Sequence, residues 1–238
     1  MGDKKEAYPK FSDEWFKAFN DEDSPEHRES ILRNGFDIEA YEMSLQKELP
    51  PITLLNMWNH FKTITYHKLL VMIHCFKVGL YKQGLTHDLS KYAPTEFLIG
   101  ARFFLGNRSP NTAERTLKGY SSSWLHHKGR NKHHFEYWID MKANGDANLE
   151  GKKMPVCYVV EMLCDRLAAS KVYSGANYTD HSALDYFRLE RSIEGTILIH
   201  PETDGLLEYM LTLVAEKGER EAFRRIKREI VKPSRRHY

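Results

Sequence analysis

The sequence predicts an all-α protein. Apolar residues recur every three or four positions over long stretches, as they do on the buried face of a helix. Proline stands near the start of several of these stretches and glycine near the end, where helices favour them. No stretch alternates apolar and polar residues as a half-buried strand does. We therefore expect a single-domain helical bundle over residues 51–238.

Residues 1–50 are expected to form an N-terminal helical arm that packs on this core. A short helix is predicted within the arm at residues 12–20. The aromatic side chains of Trp15, Phe16 and Phe19 give it an apolar face, which favours packing over disorder.

The core helices are placed by their apolar spacing and by the residues that stop them. Gly84 is expected to end the first helix with a left-handed conformation, and Gly218 to separate the last two. The polar segment 140–153 carries a turn signal at Asn144-Gly145-Asp146. In chain order, the predicted core helices cover residues 52–83, 94–106, 110–124, 156–174, 183–193, 206–216 and 219–231.

The composition is that of an ordinary soluble globular protein, with 41% hydrophobic and 29% charged residues among 238. A formal charge of +2 gives no strong indication of nucleic acid or an anionic membrane as a partner. The longest apolar run, 69–73, is far too short to span a membrane. Three cysteines without a CxxC pair indicate a reducing compartment, and the N-terminus has no apolar signal core. We therefore expect a cytoplasmic protein; a homo-oligomer stays open.

Histidine is the anomaly of the composition, since eight of the twelve lie between His60 and His134. His60, His67 and His74 follow one another at intervals of seven, so they share roughly one stripe of the first core helix. A single histidine on an apolar helix face is usually a hydrogen-bonded core residue. Three on one stripe favour at least one metal ligand, and we predict His67, with His60 and His74 as alternatives.

His87 and Asp88 are adjacent and place a neutral nitrogen donor beside an anionic oxygen donor. This combination suits zinc, manganese, iron or nickel better than either donor alone. Lys91 follows about one helical turn later, and its ammonium could hold a phosphate in the same pocket. A surface turn is the alternative, because His-Asp pairs also occur by chance.

Two histidine pairs, His126-His127 and His133-His134, lie seven residues apart. If one helix runs through both pairs, His127 shares a face with His134, and His126 with His133. If Gly129 breaks that helix, the two pairs flank a loop. A basic, solvated turn is the alternative, but four histidines favour a metal or substrate role for at least two, since neutral imidazole is a common metal ligand.

Glu161 and Asp165 lie one turn apart on a predicted buried helix. A carboxylate among apolar neighbours is costly unless it is paired or bound to a metal. Asp165 is therefore either a metal ligand or half of an internal salt bridge with Arg166 or Lys171, and the residues alone leave both open.

The order of these candidates resembles the HD-domain superfamily of metal-dependent phosphohydrolases. Its members use an upstream His, an adjacent His-Asp and a late helical Asp, which correspond here to His67, His87-Asp88 and Asp165. Some members hold a second metal with histidines between the His-Asp pair and the last Asp, where residues 126–134 lie. The resemblance implies a helical bundle of HD-domain type.

The stretch His-Asp-Leu-Ser-Lys at 87–91 is also similar to the His-Asp-x-Gly-Lys motif of the cyclic-dinucleotide phosphodiesterase branch, with Ser90 where glycine is usual. With Glu96-Phe97, segment 124–138 and Glu161-Met162, the chain looks closest to an uncharacterised bacterial and phage family with HD-like motifs. The similarity covers about residues 60–205. That closer family carries no firm activity, so the reaction follows from the superfamily alone.

The resemblance implies one or two divalent transition-metal ions (Mn, Fe, Zn, Ni or Co) as cofactor. The implied metal ligands are His67, His87, Asp88 and Asp165, with His127 and His134 for a second ion that Asp88 bridges. The predicted catalytic residues are Asp88, Lys91 and Glu161. The predicted substrate-binding residues are Lys91, Arg130, Asn131, His126 and His133.

The leading hypothesis is hydrolysis of a phosphate monoester or diester by a metal-activated water. A small phosphorylated molecule, with a nucleotide as one candidate, is the expected substrate. One alternative uses the same ligands in a di-iron oxygenase of HD type. Another is a non-catalytic helical module that binds a metal or a regulatory ligand.

Overall fold

The computed structural model describes residues 49–106, 108–143, 148–192 and 198–235. The chain divides into two compact units: Pro50–Glu114 with Ser121–Tyr238, and Met1–Leu49 with Arg115–Tyr120. The N-terminal arm predicted at 1–50 lies, apart from its last two residues, outside the described chain. All of the candidate site residues belong to the larger unit.

Helices make up most of the described chain and confirm the all-α prediction. Short 3₁₀ turns at Leu89–Tyr92, Phe135–Trp138 and Gly175–Asn177 connect some of them. No helix of the described chain is both long enough and apolar enough to cross a membrane. The helices are α1 (Leu54–Val78), α2 (Tyr81–Thr86), α3 (Pro94–Arg102), α4 (Pro110–Lys118), α5 (Ser122–Lys128), α6 (Val156–Ser174), α7 (Ser182–Ser192), α8 (Pro201–Arg225) and α9 (Lys232–Ser234), with a π-helical turn at Ile226–Val231 before α9.

Helix α6 lies at the centre of the larger unit, where it packs against α1, α7 and α8. Leu163 and Leu167 on this helix are completely buried. Burial of each such leucine contributes roughly 1.5–3 kcal/mol. Helix α6 also carries Glu161 and Asp165, so a rigid, well-packed element positions both acids.

The first core helix is shorter than the predicted 52–83, because Gly79 ends α1. Gly79 takes a left-handed conformation with φ 92°, and its N–H donates to the Phe76 carbonyl at 3.1 Å. The predicted stop at Gly84 is wrong. Gly84 lies inside α2, where a Cβ would come within 3.0 Å of the Cys75 side chain, so its small size lets α2 pack against α1.

The helix predicted at 110–124 is also two helices. Gly119 has a positive φ of 78°, and the Ser121 hydroxyl then caps α5 by accepting a hydrogen bond from the Trp124 N–H at 3.1 Å. Helix α5 ends at Lys128, so the first histidine pair lies on its last turn and the second pair beyond its end. Of the two arrangements considered for these pairs, the structure has the broken one.

A small antiparallel ladder corrects the expectation that the chain has no strand. Strands β1 (Ile139–Met141) and β2 (Leu149–Gly151) pair with Ile139 opposite Gly151. Strands this short have no alternation that a sequence pattern could reveal. The turn predicted at Asn144-Gly145-Asp146 lies outside the described residues.

The remaining helices begin or end within a few residues of their predicted limits, with one exception. Helix α8 starts earlier than predicted, at Pro201, and continues past Gly218 to Arg225. Gly218 nevertheless interrupts the helical geometry with φ 74° and ψ 156°, as its predicted role as a separator requires.

The close approach of α3 to α1 at Gly100 provides a test of this packing. A Cβ on Gly100 would lie 2.2 Å from Nε2 of the buried His60, so Gly100→Ala must displace the His60 ring or push the two helices apart. We expect the free energy of unfolding to fall by about 1–3 kcal/mol in urea denaturation.

Gly205→Ala is the matched control, because Gly205 lies in α8 with open space where its Cβ would be. There the alanine should stabilise the helix by about 0.5–1 kcal/mol. Equal effects of the two substitutions would contradict the described packing of α3 on α1.

Candidate metal centre

Asp88 lies at the centre of the site, between α2 and the 3₁₀ turn Leu89–Tyr92. Its side chain is buried, with 1% exposure of the residue. It is also the one non-glycine residue of the described chain with a positive φ, 53°. This conformation costs about 1 kcal/mol, although aspartate tolerates it better than most residues. Both carboxylate oxygens of Asp88 are buried in the protein.

One oxygen of Asp88 faces the first ligand set, which is His67, His87, Asp88 and Asp165. Asp88 Oδ2 lies 3.3 Å from His87 Nε2 and 3.8 Å from His67 Nε2. Asp165 Oδ1 lies 2.9 Å from His67 Nε2 and 3.5 Å from His87 Nε2. The four ligand atoms are all within 4.8 Å of one another. Helices α1, α2 and α6 therefore meet at one possible metal position.

The other oxygen of Asp88 faces the second ligand set, which is Asp88, His127, His133 and His134. Asp88 Oδ1 lies 3.3 Å from His127 Nε2 and 3.4 Å from His133 Nε2. His134 Nε2 lies 2.9 Å from His127 Nε2. Asp88 is thus shared, with one oxygen for each set.

The residues fit a bound metal, because ligand atoms of both sets are buried without hydrogen bonds. These atoms are His67 Nε2, His87 Nε2, His133 Nε2 and Asp88 Oδ1, whereas Asp88 Oδ2 is paired with the Lys91 ammonium. Each buried polar atom left in this way costs about 1–3 kcal/mol. Their convergence on two points means that one cation in each set would satisfy all of them.

Glu161 contacts one histidine of each ligand set through the ring nitrogen that does not face the set. Its Oε1 accepts a hydrogen bond from His87 Nδ1 at 2.9 Å and lies 3.2 Å from His133 Nδ1. Each ring therefore turns its Nε2 towards a ligand set, which is the usual orientation of a ligating histidine. The grouping of His87, His133 and Glu161 is for this reason an orienting contact and not a third metal site. Glu161, predicted as catalytic, lies behind the ligands.

Glu96 on α3 plays the same part for the second set. Its Oε2 lies 2.8 Å from His127 Nδ1, and its Oε1 lies 2.6 Å from His126 Nδ1. His126, predicted to bind substrate, thus contacts an orienting carboxylate. Sequence reasoning noted Glu96 only within a family motif and gave it no role, because a glutamate in the first turn of a helix is ordinarily solvated.

Asn131 supports the loop that carries the second histidine pair. Its amide donates to the His127 carbonyl at 2.8 Å and to the Ser90 hydroxyl at 2.9 Å. This residue, predicted to bind substrate, is therefore engaged in holding the end of α5 against the 3₁₀ turn after Asp88.

The acids of the first ligand set are held in their charged form. Burial raises the pKa of Asp88, but His87 and Lys91 outweigh burial and hold that pKa well below its usual value. Burial likewise opposes ionisation of Asp165, and the imidazoles of His67 and His87 lower its pKa well below the usual range. Both carboxylates are therefore anions at neutral pH, as metal ligands must be.

The imidazoles divide into two groups. Burial lowers the pKa of His67. Burial and the neighbouring His133 lower the pKa of His134 well below its usual value. Both rings are therefore neutral. Burial also lowers the pKa of His87, but the adjacent Asp88 and the other nearby carboxylates outweigh it and raise that pKa well above its usual value. His87 must therefore lose a proton before its Nε2 can bind a metal.

A cavity of about 550 Å³ opens beside the ligand sets. This volume is within the range of about 300–1,000 Å³ found for small-molecule sites. Lys91 lines the cavity, and its Nζ lies 2.6 Å from Asp88 Oδ2 as an ion pair. Further lining residues that sequence reasoning missed are Asn111, Glu136, Arg166, Tyr173 and Glu190.

Arg130 and His133 were predicted to bind substrate, but both have other surroundings in the structure. Arg130 is exposed, donates to the His126 carbonyl at 3.4 Å and does not line the cavity. His133, predicted to bind substrate, belongs to the second ligand set. The salt bridges considered for Asp165 are absent among the described residues, because Arg166 pairs with Glu190 and Lys171 with Glu219.

Of the three histidines on the α1 stripe, His67 is the one in a ligand set. His60 packs against the rings of Phe97 and Phe104. His74 is bonded through Nδ1 to the Cys164 carbonyl at 3.3 Å. The stripe is therefore buried along its length, but it meets Asp88 only at its middle.

Comparison with known proteins identifies the family of this chain. The model of a family described as "Family of unknown function (DUF5662)" matches residues 56–213, which include every member of both ligand sets. No curated protein and no solved structure matches the chain.

The sharing of Asp88 predicts how metal content responds to substitution. We expect about two ions per chain in untagged protein. His67→Ala should remove the first, His127→Ala the second and Asp88→Ala both, as measured by elemental analysis. His74→Ala is the matched control, because it removes a buried histidine of α1 that belongs to neither set. A folded Asp88→Ala protein with full metal content would refute the shared ligand.

Metal binding should release protons at neutral pH. Because nearby carboxylates raise the pKa of His87, its ring is protonated in the metal-free protein and must lose a proton on binding. Apparent affinity should therefore fall as the pH is lowered. Calorimetric titration with Mn²⁺ in two buffers of different ionisation enthalpy measures the proton count, and a count of zero would contradict this assignment.

Proposed function

Since this chain belongs to the family of unknown function DUF5662, we propose its activity from the site itself: it is a metal-dependent phosphohydrolase that cleaves a small phosphate ester. The observation that carries the proposal is Asp88, which turns one buried oxygen towards each of two ligand sets. Two adjacent cation positions beside a cavity are an arrangement that recurs in phosphatases and nucleases.

Divalent ions bound there would act as Lewis acids on the phosphate and would lower the pKa of a coordinated water towards about 7. Two glutamates of the chain hold the imidazoles of the ligand sets in their orientation. Glu161 holds one imidazole of each set by its Nδ1, and Glu96 holds another in the second set. Fixed rings keep the ligand atoms in place, so little reorganisation is needed when a substrate binds.

Lys91 supplies the positive charge beside the reacting group. Its ammonium lines the cavity next to Asp88, where it can neutralise a phosphate oxygen. Burial opposes the charge on Lys91, but Asp88 and Asp165 outweigh burial and raise its pKa, so it stays protonated over the whole physiological range. This supports a binding role for Lys91 and not a role as a general base.

The order of the ligands along the chain supports a relationship to HD-type phosphohydrolases. An upstream histidine on α1, an adjacent His-Asp after α2 and an aspartate on α6 converge on one position. The volume of the cavity, about 550 Å³, suits a nucleotide-sized ester.

The proposal predicts metal-dependent phosphatase activity. The full chain should hydrolyse p-nitrophenyl phosphate or a nucleoside monophosphate, lose activity after chelation and recover it with Mn²⁺. Glu161→Gln keeps the shape of the side chain but weakens its hold on both rings, so activity at limiting metal should fall about 10–100-fold. His74→Ala should retain wild-type activity.

Three results would decide against this function. Full activity after complete removal of the metal would refute metal dependence. Iron-dependent oxygen consumption with a mixed-valence electron paramagnetic resonance signal would favour the oxygenase. A metal-loaded, thermally stabilised protein that cleaves no phosphate ester would favour a non-catalytic module.

A further inference from the structure

A second, smaller cavity adjoins the one beside the ligand sets. Its volume is about 70 Å³, far below the roughly 300–1,000 Å³ of a site for a whole ligand. The two cavities have lining residues in common, among them Lys91, Ser109, Asn111 and Tyr173. The smaller cavity is therefore a side pocket that can receive one substituent of a molecule bound in the larger one.

An arginine without an anionic partner among the described residues lines this side pocket. Arg108 lines it, is exposed and makes no ion pair or hydrogen bond with any residue in the described ranges. Lys91 lines it as well. Glu96 is the acidic residue among those that line the side pocket. Both of its carboxylate oxygens already contact the imidazoles of His126 and His127. The guanidinium of Arg108 therefore has no negative partner in the described part of the molecule.

Neutral donors complete the pocket. The Asn111 side-chain oxygen accepts a hydrogen bond from Ser123 at 2.9 Å, which leaves the amide N–H₂ group of Asn111 available. Ser109 contributes a hydroxyl to the lining. His60, only 6% exposed, also lines the pocket, and its Nδ1 has no hydrogen-bond partner among the described residues.

We propose that this side pocket binds a second phosphate group of the substrate, through Arg108, Asn111 and Lys91. The substrate class is then a small molecule with two phosphoryl groups, one beside the ligand sets and the other in the side pocket. A free guanidinium suits phosphate because it donates two parallel hydrogen bonds to its oxygens. This inference rests on the proposed function and names the substrate of that same site.

Arg108 is a specificity residue in this account. It would bind a phosphate that does not react, so its interaction is the same in the ground state and in the transition state. Loss of such an interaction raises KM and leaves kcat nearly unchanged. A general defect of the site would instead lower kcat for every substrate.

The test compares adenosine 5′-monophosphate with adenosine 5′-diphosphate and adenosine 3′,5′-bisphosphate in the Mn²⁺-loaded full chain. Wild type should have a higher kcat/KM for at least one of the two-phosphate substrates. Arg108→Ala should lower that kcat/KM about 10–100-fold, through KM, because it removes a hydrogen bond between two charged groups. The monophosphate should be unaffected, and Arg108→Lys should give an intermediate loss.

Arg220→Ala is the matched control, since Arg220 is an exposed arginine on α8 that lines neither cavity. Arg220→Ala should leave kcat/KM unchanged for the monophosphate and for the two-phosphate substrates. If Arg108→Ala lowers kcat/KM equally for the monophosphate and the two-phosphate substrates, or for neither, the side-pocket assignment is overturned. An Arg108-dependent affinity for inorganic phosphate that leaves the substrate preference intact would also overturn it, because the pocket would then hold a free ion.

Calorimetric binding of the same nucleotides separates this inference from the proposed function. If no nucleotide is hydrolysed but Arg108→Ala selectively weakens binding of a two-phosphate nucleotide, the side pocket stands and the hydrolase proposal fails. If hydrolysis is metal-dependent but indifferent to the second phosphate, the hydrolase proposal stands and the side pocket fails.

Discussion

The buried carboxylate of Asp88 is the constraint on which the rest of this structure depends. An unpaired charge inside a protein is very costly, so every neighbouring element must contribute compensation. That compensation comes from Lys91 on the following turn, from imidazoles on α1 and α5, and from the segment after α5. Elements far apart in the chain each bring a side chain to this acid, and the positive φ of Asp88 is the backbone cost of that position.

Helix α6 couples the stability of the core to the geometry of the site. Its apolar residues are buried against three other helices, while Glu161 and Asp165 project from the same rigid element. Glu161 contacts one histidine from each ligand set, so the two sets share an orienting group as well as Asp88. The two sets are for this reason one physical unit, and a change in either one alters the electrostatics of the other.

Local sequence singled out the members of the first ligand set more directly than those of the second. His87 and Asp88 are adjacent, and an acid such as Asp165 inside an apolar helix is conspicuous wherever it occurs. In the second set, the choice between His133 and His134 depended on whether α5 continued past Lys128, and both rings prove to lie near the centre. The orienting role of Glu96 depends on which side chains α5 brings beside it, so no local pattern could reveal it.

By itself, the sequence determined the all-α class and most helix positions, and it indicated the residue types of a candidate metal site, because helical periodicity and ligand chemistry are local properties. Only the tertiary structure decided that one oxygen of Asp88 faces each set, that Arg130 lies outside the cavity and that Arg108 lies at a side pocket. The physical reason is that burial, charge compensation and distance arise between elements far apart in the chain, and spacing along the chain does not encode them.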